Sequence, residues 1–260
     1  MRRYFLSVLL VLSVIGVKAQ DLSLFQKFYL AQGGDTLPYR VLFPVDYNPS
    51  LKYPVIFFLH GSGERGRDNE KQLVHGASLF LNEDVRRRFP AFVIFPQCAE
   101  SGYWSNVLHV SDTARKRTFY FLPDGPETRD LQLFQALSHY ILNKWPIDKR
   151  RVYIGGLSMG GMGTFEVVRR DPEFYAAAFA ICGGADPATA PALKKTHWWL
   201  FHGLKDNVVD PSFSKAMYAA LKRSGADVRI NLYPNDNHNS WDHAFAEPEL
   251  LPWLFSKSRK

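Results

Sequence analysis

Eight short runs of apolar, β-favouring residues recur along the chain, at 27–32, 39–43, 55–60, 92–96, 152–156, 176–182, 198–202 and 228–233. Several are apolar at almost every position. A strand with one wet face alternates apolar and polar residues, whereas a run without alternation belongs in a sheet covered on both sides. Helical patterns lie between the runs. Over 128–143, Leu131, Phe134, Leu137 and Ile141 share one face, and Pro146 follows its end. A second pattern, 159–170, stops before Pro172, and a third, 211–223, opens on proline and closes at Gly225. This order predicts an α/β chain: a mostly parallel eight-stranded sheet with helices on both faces. The first two runs turn on Gly33-Gly34-Asp35 and predict an antiparallel N-terminal hairpin at one edge. Ligands of such sheets bind beyond the carboxyl ends of the strands, so the residues after each strand are where chemistry belongs.

Composition narrows the class. With 260 residues, 46% of them apolar, the chain can fill one large core, which excludes disorder as its main state. Two cysteines exclude a disulfide scaffold. Arg2 and Arg3, the uncharged apolar stretch 4–17 and the small residues around Ala19 form the pattern of a cleaved signal peptide over 1–19. That stretch is too short to span a bilayer, and no cysteine follows it to carry a lipid anchor. A secreted or periplasmic protein, with one domain over 20–260 and no membrane insertion after cleavage, is expected. Losing the three cations of the leader lowers the formal net charge from +7 to +4. The remaining basic residues are scattered, which argues against a nucleic-acid partner.

At 156–160 the strand run enters Gly-Leu-Ser-Met-Gly, and a helical pattern leaves it at once. Glycines on either side of Ser158 allow the sharp strand-to-helix turn that projects a nucleophilic hydroxyl from a sheet edge. A serine hydroxyl needs a base, and the base an orienting acid. In this architecture the chain order is serine, acid, histidine. Asp206 follows the seventh run and His238 the eighth, in that order. Asp186 is a rival acid and His243 a rival base, while Asp210 suits a helix cap before Pro211. A metal cluster of His238, Asp242 and His243 matches no ligand spacing. The histidines at 60, 75, 109, 139, 197 and 202 read as structural. The loop after the third run, His60-Gly61-Ser62-Gly63-Glu64-Arg65-Gly66, is rich in glycine. It is expected to supply one oxyanion-stabilising amide, from Ser62 in preference to Gly61, with the second from Met159.

These segments together resemble the α/β-hydrolase superfamily. They are similar to small secreted bacterial serine esterases related to feruloyl esterases, acetyl-xylan esterases and polyhydroxybutyrate depolymerases. The likeness rests on YPVIFFLHGSGERGRDN (53–69), FVIFPQC (92–98), DKRRVYIGGLSMGGMGTF (148–165), HGLKDNVV (202–209) and HNSW (238–241). It implies Ser158 as nucleophile, Asp206 as acid, His238 as base, amides of Ser62 and Met159 as the oxyanion hole, and no cofactor or metal. In the superfamily's sheet the strands ending near Cys98 and Cys182 stand three positions apart, roughly 14 Å at ~4.8 Å per strand. A disulfide needs Cα atoms within about 7 Å, so both cysteines are expected to be free.

Residues 183–196 leave little material for a lid, which predicts an open site. The irregular stretch 99–127 is rich in aromatics and is expected to wall the substrate pocket, with Trp104, Trp241 and Tyr103 touching substrate. An open aromatic-walled site suits a feruloyl or acetyl ester of a plant polysaccharide or oligosaccharide. The rival readings are a secreted serine peptidase of the prolyl-oligopeptidase type and a non-catalytic binding protein on the same fold.

Overall fold

A computed structural model of the chain describes residues 21–111 and 117–259. The expected signal peptide lies outside the described residues. The strands are β1 (Phe25–Gln32), β2 (Asp35–Leu42), β3 (Tyr53–Leu59), β4 (Phe92–Pro96), β5 (Val107–Ser111), β6 (Arg117–Phe121), β7 (Ile147–Leu157), β8 (Ala177–Ile181), β9 (His197–Gly203) and β10 (Val228–Tyr233). The helices are α1 (Ala77–Leu81), α2 (Glu83–Arg88), α3 (Arg129–Lys144), α4 (Met159–Arg170), α5 (Ala190–Leu193), α6 (Ser212–Arg223), α7 (Trp241–Ala246) and α8 (Leu250–Phe255).

Eight strands form one sheet in the order β1-β2-β4-β3-β7-β8-β9-β10. Only the β1/β2 hairpin and the β2/β4 pair are antiparallel; every other pair in this sheet is parallel. The apolar runs explain the burial. In β3, Val55, Phe57 and Leu59 face the cluster beneath α3, α4 and α6. Ile56 and Phe58 face the opposite cluster, under α1, α7 and α8. Each such side chain contributes roughly 1.5–3 kcal/mol by leaving water, so a polar residue at any of these positions would be costly.

Within 99–127 the described residues are more regular than the sequence suggests: β5 and β6 pair antiparallel as a separate two-stranded sheet, with Val107 opposite Phe121 and His109 opposite Phe119. Phe119 and Phe121 pack on Phe213 at the start of α6. Between β8 and β9 lie only a 3-10 turn, Pro187–Thr189, and α5. Cys98 and Cys182 are both free and buried.

Candidate active site

Ser158 sits between the last residue of β7 and the first of α4, with φ 52° and ψ −117°. This is a strained conformation for a residue with a side chain. Its amide is tied to the end of the neighbouring strand, donating to the Ile181 carbonyl at 2.8 Å. Glycine permits the sharp turn. A Cβ on Gly160 would lie 1.9 Å from the Leu59 carbonyl oxygen, and one on Gly156 would lie 2.3 Å from that of Gly160.

His238 and Asp206 leave the carboxyl ends of β10 and β9. His238 Nε2 lies 2.9 Å from Ser158 Oγ. His238 Nδ1 lies 2.8 Å from Asp206 Oδ2. Asp206 Oδ1 accepts from the amides of Val208 and Val209, both at 2.9 Å. Burial alone would raise the Asp206 pKa. The hydrogen bonds from His202 and His238, with the charge of His238, outweigh it and hold the carboxyl well below its ordinary range.

Two histidines that read as structural touch this machinery. His202 is wholly buried on β9, four residues before Asp206. Its Nε2 meets the Val209 carbonyl at 2.9 Å and lies 3.1 Å from Asp206 Oδ2, and its Nδ1 meets Ser214 Oγ at 2.7 Å. One carboxylate oxygen is therefore shared by two imidazoles. The only sequence signal for this is the four-residue spacing in His202-Gly203-Leu204-Lys205-Asp206. His60 ends β3. Its Nε2 accepts from the Cys98 amide at 3.0 Å, so the ring proton resides on Nδ1 and is donated to the Gly61 carbonyl at 2.6 Å. Burial pushes its pKa down to about 4, so the ring is neutral.

His60 pins the glycine-rich loop. Ser62 opens its 3-10 turn, Ser62–Glu64, while Met159 opens α4. The two segments adjoin, since a Cβ on Gly61 would lie 3.7 Å from Ser158 Cβ. Tyr103 is half-buried against the Phe119, Met162 and Val209 cluster beside the site. Trp241 is part-exposed and meets His238 edge-on, with ring centroids 5.5 Å apart. Trp104 departs from expectation. It is fully buried, its indole donates to the His60 carbonyl at 3.1 Å, and it packs on Phe134. It supports the loop from beneath and has no surface to stack on substrate.

The rival residues lie elsewhere. His243 pairs with Asp236 at 2.6 Å, and Asp242 accepts from Asn239. Asp186 caps the turn at 187–189. Among the described residues, Cys182, Asp206 and His238 are the one group of three metal-ligating side chains whose ligand atoms all lie within 4.8 Å of one another. Two of those residues are already engaged with each other.

The fold and this constellation define a serine hydrolase of the α/β-hydrolase class. The chain belongs to the phospholipase/carboxylesterase family, whose profile matches residues 48–247, and it is a carboxylic ester hydrolase. It is 27% identical over 197 residues to lysophospholipase-like protein 1 of Mus musculus, covering 70% of this chain and 79% of that protein. A thermostable esterase of known structure is 34% identical, with a TM-score of 0.81 and 91% of this chain covered. This chain spans 64% of that esterase's length. A ferulic acid esterase shares the fold at 18% identity and a TM-score of 0.63, covering 88% of this chain and 96% of its own.

Proposed function

We propose that the enzyme cleaves carboxylic esters through an acyl-enzyme on Ser158. The reading rests on one observation, the unbroken line from Ser158 Oγ through both nitrogens of His238 to Asp206. His238 Nε2 takes the serine proton as Oγ attacks the ester carbon. Asp206 fixes the tautomer and stabilises the imidazolium. The amides of Ser62 and Met159 receive the oxyanion. The alcohol leaves with the proton from His238, and water repeats the cycle on the acyl-enzyme. No step calls on a metal or organic cofactor.

The substrate we assign is an acetyl or feruloyl ester of a plant polysaccharide or oligosaccharide, hydrolysed outside the cytoplasm by residues 20–260 after loss of the leader. A short β8–β9 connection and the part-exposed Trp241, edge-on to His238, support a bulky ester. Hydrolysis of p-nitrophenyl acetate and methyl ferulate tests the reading. Wild type should cleave at least one, and Ser158→Ala should lose activity by roughly 10⁴-fold or more. Equal activity in the two proteins would remove Ser158 from the mechanism. Inactivity of both on esters, with cleavage of peptide amides, would favour the peptidase reading.

A further inference from the structure

Glu64 stands on the loop that carries Ser62, and the proposed mechanism leaves it without a task. Its side chain is only 12% exposed. A point one Cβ out from Gly61 lies 3.0 Å from Glu64 Oε2 and 3.7 Å from Ser158 Cβ, which bounds the carboxylate to the neighbourhood of the nucleophile. The nearest basic side chain among the described residues is His75, whose Nε2 lies 3.7 Å from Oε1, beyond hydrogen-bond reach. The adjacent guanidinium is occupied elsewhere, since Arg65 donates to the carbonyls of Ser62 and Gly102. Among the described residues no protein group within hydrogen-bond reach donates to this carboxylate, and its oxygens are not sealed from solvent, so a donor brought by a ligand could satisfy it.

Position indicates which part of the ligand brings that donor. His238 must hand its proton to the departing alcohol, so the alcohol lies against His238. Trp241 meets His238 edge-on and also packs against His75, with ring centroids 4.8 Å apart. His238, Trp241, His75 and Glu64 thus form one chain of contacts that runs from the leaving-group side to Glu64. We propose that Glu64, with His75 beside it, forms a subsite for the leaving alcohol that accepts a free hydroxyl and repels an anion. This rests on the esterase reading above and deepens it, because it specifies a polyhydroxylated alcohol.

Three acetate esters matched in length separate the possibilities: propyl acetate, 1-acetylglycerol and 3-acetoxypropanoate. Their alcohol parts carry no polar group, two hydroxyls and a carboxylate. Wild type should prefer 1-acetylglycerol and disfavour 3-acetoxypropanoate relative to propyl acetate in kcat/KM. A hydrogen bond to a charged group is worth roughly tenfold or more. Glu64→Gln should therefore lower the glycerol-to-propyl ratio by about that factor and raise the propanoate-to-propyl ratio. A residue that only braced the loop would change all three esters alike, leaving both ratios within about twofold of wild type, and that result overturns the proposal. His75→Gln lies on a separate segment and should lower the glycerol-to-propyl ratio even if Glu64→Gln folds poorly; an unchanged ratio there counts against the subsite. Cleavage of none of the three by wild type would overturn the esterase reading together with the subsite. Cleavage of all three with unchanged ratios would overturn the subsite alone.

Discussion

At the residue scale Asp206 is held at both carboxylate oxygens. Oδ1 is held by two backbone amides and Oδ2 by two imidazoles. Removing His202 leaves Oδ2 with His238 alone and frees the carboxylate to swing. His202→Asn should lower kcat more than KM, by about tenfold, if fixing the His238 tautomer depends on a fixed acid. Asp206→Asn should cost on the order of 10⁴-fold in kcat, through the wrong tautomer. His60 gives a pH signature. Its ordinary value near 6.5 is pushed down to about 4 by burial, so folding favours the neutral ring. The stability this confers is complete above about pH 6.5 and is lost as pH falls from there towards 4. Thermal melts across that window should show wild type falling more steeply than His60→Gln, which starts lower. Parallel curves would show that the buried imidazole does not govern the acid response.

Elements explain how much of this was legible. All eight runs became strands of the main sheet; the inner ones, covered on both faces, cannot alternate and so announce themselves, whereas the edge strands β1 and β10 are only partly buried. Helix α4 matches its pattern at 159–170 because the elbow fixes its start and Pro172 limits its end. Ser158, Asp206 and His238 stood out because each closes a strand. The β5/β6 pair did not stand out. One of its faces is packed, but Leu108, Val110 and Tyr120 on the other are more than half exposed, so neither the buried nor the alternating pattern is clean. Trp104 was misread for a related reason. Composition marks an aromatic in a loop, but only packing shows that its indole props the His60 carbonyl from below. Trp104→Phe keeps the ring and removes the N–H, orphaning a buried acceptor at a cost of about 1–3 kcal/mol. The melting temperature should fall while KM for aryl esters stays at the wild-type value. A raised KM with unchanged stability would return Trp104 to the substrate site.

The whole molecule sets what the two cysteines can do. Cys98 follows β4 and Cys182 follows β8, and the sheet order places β3 and β7 between those strands. At ~4.8 Å per strand the gap is roughly 14 Å, twice what a disulfide spans. Burial raises both thiols, with Asp130 adding to the effect at Cys98 and Asp206 at Cys182, so neither is a ready thiolate. An oxidising compartment therefore has nothing to act on in the native protein. Its stability must come from the two apolar layers flanking the sheet rather than from a cross-link. Reductant should leave the melting temperature unchanged, and iodoacetamide should label neither thiol until denaturant is added, whereupon both react. A melting temperature that drops under reductant would mean the strands carrying these residues lie closer than the sheet order allows. The placement of Ser158, Asp206 and His238 on neighbouring strand ends would fail with it.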